Sequence, residues 1–121
     1  MRIEKITTDK KRFLDLLLLA DEQEDMIDRY LERGDLFALF DPDLKSLCVV
    51  TDEGKGTCEL KNLATCVHYQ GQGYATRLLE HVFRSYSGKY ETLLVGTGEI
   101  PRILAFYKRC GFTFSHRLKN F

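Results

Sequence analysis

The stretch Gln70-Gly71-Gln72-Gly73-Tyr74-Ala75 constrains this chain more than any other. It follows a strand-like run, Thr57 to Val67, and opens a strongly amphipathic helical pattern, Tyr74 to Tyr86. A glycine-rich bend between a strand and a helix N-terminus is a natural anion seat. The first N–H groups of the helix have no internal partner, and the aligned peptide dipoles favour negative charge there. Gly71 and Gly73 lack Cβ atoms, so both can take positive φ and let a phosphate approach the main chain. The bend is therefore expected to hold a ligand that carries phosphate.

The elements around the bend follow from periodicity and turn chemistry. Arg2 to Ile6 reads as a short strand, with Thr7, Thr8 and Asp9 as candidate caps for a first helix carrying Phe13, Leu16, Leu17 and Ala20. A second helix presents Met26, Ile27, Tyr30 and Leu31 on one face and stops at Gly34. Leu36 to Phe40 is a buried strand, and Asp41-Pro42-Asp43 a turn. Leu47 to Thr51 and Thr57 to Val67 bracket Asp52 to Gly56 as a hairpin. Its second arm is irregular: Cys58, Leu60, Ala64 and Cys66 share one parity, Leu63 and Val67 the other. A strand covered on both faces does this, and so does a bulge near Asn62.

The helix after the glycines places Ala75, Leu78, Leu79, Val82, Phe83 and Tyr86 on its apolar face, and Gly88 ends it. His81 falls among its polar positions and is read as solvated. Glu91 to Val95 is the next strand, broken by Gly96-Thr97-Gly98. A helix over Arg102 to Arg109 follows Pro101, and Phe112 to Ser115 begins a last strand. The order β-α-α-β-β-β-α-β-α-β describes an α/β (α+β) domain with one mixed central sheet flanked by helices. Residues 1–121 read as a single domain, with no repeat or linker.

Lys plus Arg and Asp plus Glu both number 18, which gives no general pull toward nucleic acid or an anionic membrane. No apolar run is long enough to span a bilayer. Cys48, Cys58, Cys66 and Cys110 match no zinc or redox spacing, and the first three fall in strands as small buried hydrophobes. Free thiols in this number point to a reducing, cytoplasmic setting. No metal site is expected.

The order and the glycine turn resemble the GNAT superfamily of acyl-CoA-dependent N-acetyltransferases. The family signature (Gln or Arg, two residues, Gly, one residue, Gly or Ala) is filled by Gln70, Gly73 and Ala75. The stretch Asn62 to Gly73 is similar throughout to the family's fourth strand and pyrophosphate loop. Ala105-Phe106-Tyr107-Lys108-Arg109-Cys110-Gly111-Phe112 resembles its last helix and Gly-Phe exit. The resemblance runs from about Leu36 to Phe114. Three departures stand out. Ile100 sits where the family often has Asn, and Thr65 replaces a branched aliphatic residue. The chain also ends at Phe121, before the family's usual final strand. Either the C-terminus is truncated, or a second copy (a homodimer) or another segment completes the sheet.

The resemblance implies transfer of an acetyl group from acetyl-CoA, as co-substrate, to a primary amine of a small molecule or peptide. It assigns the pyrophosphate to the backbone of Gln72, Gly73, Tyr74 and Ala75, with Gln70 and Gly71 shaping the turn. The peptide-like pantetheine arm is assigned to the edge of Leu63, Ala64 and Thr65. An alkyl amine has a pKa near ~10.4, so a base must take its proton. Glu59 is the candidate, with His116 or a water as alternatives. A Glu59 that merely pairs with a Lys is the structural alternative. Tyr107 matches the family's general acid for the leaving thiolate. Asp21, Glu22, Glu24, Asp25, Asp28 and Glu32 could draw a cationic amine to the first two helices. A non-catalytic acyl-CoA-binding or partner-regulating module is the alternative function. A nucleoside triphosphatase is excluded because the loop lacks a Gly-Lys-Ser/Thr ending. A Rossmann domain fits poorly, because the glycine turn follows a hairpin arm.

Overall fold

The computed structural model describes residues 1–86, 88–90 and 92–95, and these form a five-stranded sheet with helices on both faces. Strands β1 (Arg2–Ile6), β2 (Asp35–Phe40), β3 (Leu44–Gly54), β4 (Thr57–Thr65) and β5 (Thr92–Val95) lie side by side in chain order. The first three pairings are antiparallel and β4–β5 is parallel. A parallel return requires a crossover, supplied by helix α3 (Tyr74–Tyr86). Helices α1 (Leu14–Ala20) and α2 (Glu24–Asp28) cover the other face. No described helix is long and apolar enough to cross a membrane. The expected elements from Gly96 onward lie outside the described residues.

β2 is the sheet's best-covered strand, and its sequence shows why. Leu36 and Ala38 pack toward α1 and α2, while Phe37 and Leu39 pack toward α3, so no polar residue interrupts Leu36 to Phe40. Each fully buried Leu contributes roughly 1.5–3 kcal/mol relative to exposure. The α3 stripe is shifted from the expected one. Leu78, Leu79, Val82 and Tyr86 are buried, but Phe83 is 38% exposed. His81, read as solvated, instead packs edge-on against Phe37 with ring centroids 5.4 Å apart.

The irregular parity of β4 has a single cause. Val49 opposes Asn62 and Val50 opposes Leu60, so Lys61 is an extra residue inserted between two register pairs. One inserted residue sends the rest of the strand to the opposite face. Before the bulge, Cys58 and Leu60 face α3; after it, Ala64 faces α1 and α2 while Leu63 faces α3. Both sequence explanations therefore hold together.

Other boundaries moved. The hairpin turn contracts to Lys55 and Gly56, at φ 54° and 76°, the positive pair that a two-residue turn matched to strand twist requires. β4 stops at Thr65; Cys66 lies beyond it, and Val67–Tyr69 form a 3-10 turn. The first helical segment begins as a 3-10 turn, Lys10–Phe13, capped by Asp9 in a left-handed conformation without a side-chain cap bond. The compensating contact comes from Lys10, which is buried. Its Nζ donates to the carbonyls of Leu31 (3.1 Å), Glu32 (3.1 Å) and Gly34 (2.7 Å), groups that end the second helical region.

Gly34 does not serve as a left-handed stop. A Cβ there would lie 2.7 Å from Val49 Cγ1 and 2.9 Å from the Tyr30 carbonyl oxygen, so only a bare backbone fits between α2 and β3. Gly34→Ala should therefore lower stability by about 1–3 kcal/mol through overpacking. A fall in the urea midpoint at constant slope would report it, whereas an unchanged midpoint would show that the packing relaxes freely.

Candidate active site at the β4–α3 junction

Among the described residues, β4 pairs with β5 from Thr57 to Leu60. The bulge at Lys61 begins where this described pairing ends, and Asn62 to Thr65 continue in register with β3. The Cys66 N–H donates to the Lys45 carbonyl at 2.8 Å, which aims that residue at β3. Strand alternation then aims the main-chain groups of Leu63 and Thr65 at the opposite, β5-side edge. The sequence-assigned segment Leu63-Ala64-Thr65 is thus brought to an edge past the described β4–β5 ladder.

The glycine bend follows at once. Gln70 folds back, its Nε2 donating to the Thr65 carbonyl at 3.2 Å, and ties the bend to the strand end. Gln72 makes a longer contact to the His68 carbonyl, at 3.5 Å. Gly71 and Gly73 have φ of 79° and 89°, where L side chains are strained, and a Cβ on either would meet nothing within 4 Å. Among the described residues, the space into which a side chain at Gly71 or Gly73 would point is therefore open. The Gly73 carbonyl accepts the Arg77 N–H at 3.1 Å and starts α3, so Tyr74 and Ala75 lie in the first turn, whose N–H groups have no acceptor within the helix. Arg77 is exposed on that turn, and buried Lys45 stacks 3.5 Å from the Tyr69 ring centroid beneath the bend. Polarity and charge both favour an anion here.

α3 is held at both ends. Tyr74 donates to Asp41 Oδ2 at 2.9 Å, and Tyr86 donates to Asp35 Oδ2. The bond to Asp41 raises the Tyr74 phenol above its ordinary range, and burial together with Asp35 does the same for Tyr86. Both hydroxyls stay protonated donors at neutral pH.

On the α1–α2 face, a recess of about 390 Å³ opens beside the bulge, with Asp21, Arg29, Tyr30, Arg33, Glu59 and Lys61 on its wall. Glu59 is 6% exposed and sits 3.0 Å from Lys61 Nζ. Glu59 thus pairs with a Lys, as in the structural alternative, but the carboxylate is buried and its lysine lies two residues along the same strand, not across the ladder. Asn62, also brought to this face, was not anticipated. Its Nδ2 donates to the Leu17 carbonyl (3.0 Å) and to Tyr30 Oη (3.1 Å), and Tyr30 donates to Asp21 Oδ2 (3.2 Å). The Leu17 carbonyl can only accept, which fixes the amide's orientation and leaves buried Oδ1 without a partner among the described residues. Burial, opposed by the Asn62 bond, and then Asp21 push the Tyr30 phenol up to about 12. A polar Asn inside an apolar strand run was the available sequence signal.

The acidic residues of the first helices do not form one free patch. Lys11 bridges Glu24 (2.6 Å) and Asp28 (2.7 Å), and Asp21 turns inward to Tyr30. Burial raises the thiols of Cys48 to about 12 and Cys58 to about 11, consistent with inert core residues. Tyr107, His116 and Ile100 lie outside the described residues.

Comparison with known proteins agrees with this geometry. Residues 36–114 match the model of the acetyltransferase (GNAT) domain. Over 115 residues the chain is 32% identical to YvbK, an uncharacterized N-acetyltransferase of Bacillus subtilis strain 168, covering 93% of this chain and 74% of that one. A crystal structure of a GNAT family acetyltransferase from Elizabethkingia anophelis with acetyl-CoA bound superposes with a TM-score of 0.87 at 32% identity, over 94% of this chain and 76% of that one. A Bacillus subtilis acetyltransferase in complex with CoA gives a TM-score of 0.84 at 31% identity, over 94% and 77%. A glycine bend with open main chain, a strand edge beside it and this similarity in sequence and fold lead to one assignment: the chain belongs to the GNAT family of acetyltransferases.

Proposed function

We propose that the protein moves the acetyl group of acetyl-CoA to a primary amine of a small molecule or peptide. The observation that carries this reading is the continuity of two surfaces. The strand edge at Leu63-Ala64-Thr65 runs, through Gln70, into a bend whose bare concave side suits a diphosphate. A ligand with a peptide-like arm joined to a diphosphate matches both, and acetyl-CoA and CoA are bound in two similar acetyltransferases. When bound, acetyl-CoA supplies an acetyl group activated as a thioester.

The chain's own groups then have definite tasks. The amides from Gln72 to Ala75 hold the diphosphate, with Gln70 and Gly71 setting the turn. Leu63, Ala64 and Thr65 align the arm, and an N–H of this edge polarises the thioester carbonyl. Glu59, at the bulge and on the wall of the recess, takes the amine's proton directly or through water. Tyr107 gives a proton to the leaving thiolate. Residues 1–121 act in this reading as one domain.

Calorimetry should detect acetyl-CoA binding to the purified protein, and Gly73→Val should weaken it at least about tenfold, because a branched side chain is strained at φ 89° and fills the cradle. Undiminished affinity in the variant would move the diphosphate elsewhere. Glu59→Gln should lower kcat by about 10²-fold or more with little change in acetyl-CoA affinity. A variant that turns over at the parent rate removes Glu59 from the proton transfer. Tyr107→Phe should likewise reduce turnover, by about 10²-fold, while cofactor affinity holds. Equal CoA release by the two forms would take Tyr107 out of the mechanism.

A further inference from the structure

The wall of the recess beside Glu59 carries both signs of charge, and their pairing is uneven. Lys61 is matched by Glu59 at 3.0 Å within the recess, and Arg33 is matched by Glu53 at 3.2 Å outside it. Arg29 has no ion-pair partner among the described residues. Asp21 has no cationic partner there either. Its carboxylate accepts from the Tyr30 hydroxyl at 3.2 Å and from the Gln23 N–H at 3.4 Å, which holds it in place. The recess thus offers one guanidinium and one carboxylate on a shared wall that form no ion pair with each other. A bare cationic amine would meet Asp21 and Glu59 but leave Arg29 uncompensated. A molecule with an ammonium and a carboxylate would match both ends.

We infer that the acceptor is a free amino acid, its amine directed to Glu59 and Asp21 and its carboxylate held by Arg29. The assignment rests on the acetyl transfer proposed above and narrows its substrate. Guanidinium suits the role because its planar fork meets a carboxylate with two parallel hydrogen bonds. Arg29 follows α2 directly, on a helical segment whose buried Ile27 and Tyr30 anchor its backbone. Arg33, on the same wall, is already paired with Glu53, which leaves Arg29 as the guanidinium available to a carboxylate.

The test compares each amino acid with its own carboxamide, alongside simple alkylamines, using the full chain and acetyl-CoA with released CoA as the readout. The pair differs in the carboxylate and, through it, in the basicity of the amine, so the ratio of kcat/KM values is taken with each acceptor corrected to its neutral-amine fraction. The amino acid should be preferred by at least about tenfold, and Arg29→Gln should bring the ratio close to one. A carboxamide or alkylamine used as well as the amino acid overturns the carboxylate assignment and leaves acetyl transfer standing. A preference that persists in Arg29→Gln overturns the role of Arg29. Release of CoA with none of the acceptors, in protein that binds acetyl-CoA, overturns the acetyl-transfer reading itself and this inference with it.

Discussion

One extra residue in β4 organises most of what is functional here. Lys61 is inserted between two register pairs with β3, and its insertion coincides with the last described pairing between β4 and β5. A regular β4 would keep Asn62 and Ala64 on the face of Cys58 and Leu60, opposite Glu59. The inserted residue instead exchanges the faces of the strand's second half. It brings Asn62 to the face of Glu59 and Lys61, and the edge of Leu63 and Thr65 continues beyond the described β4–β5 ladder. The cost is a lost ladder contact and a buried amide oxygen on Asn62 that the described residues leave unpartnered. Such a group is expensive in a folding interior, and sites that bind ligands are where such costs are tolerated.

The site divides by the kind of interaction it offers. On the α3 side the groups are main-chain amides, positive φ glycines and a helix terminus, a surface that reads charge and close approach but little else. On the α1–α2 side the groups are charged side chains that flank α2 or lie on β4, held by Tyr30, Asn62 and the Lys61–Glu59 pair. The first surface suits a ligand common to a whole family. The second is where a particular acceptor can be chosen, because its side chains change without disturbing the backbone cradle.

Much of the scaffold was legible in the sequence. The α3 boundaries at Tyr74 and Tyr86 follow from a 3.6-residue period between two glycine signals, and β1 from its short alternation. The mixed parity of β4 carried the bulge in plain sight. The losses have physical reasons. Periodicity marks the centre of an apolar stripe but not its edges, so Phe83 and His81 exchange their expected environments. Lys10 is charged, and no local pattern reveals that its ammonium will find three carbonyls more than twenty residues away. Gly34 looks like any helix stop until β3 is laid against it. Asn62 joins Glu59 on one face only because a bulge intervenes between them, an arrangement an unbroken strand forbids.

The two tyrosine ties of α3 amount to a length gauge. Tyr74 and Tyr86 are separated by about 18 Å of helix rise, and Asp41 and Asp35, at the two ends of β2, by about 20 Å of extended strand. The helix therefore lies head-to-tail along β2 with its span matched to that strand. Adding or deleting a single residue in α3 would rotate one phenol by about 100° away from its carboxylate and carry the glycine bend with it. Insertions and deletions in this family's lineage of this chain should accordingly collect in the loops around α1 and α2, while the thirteen-residue count of α3 stays fixed.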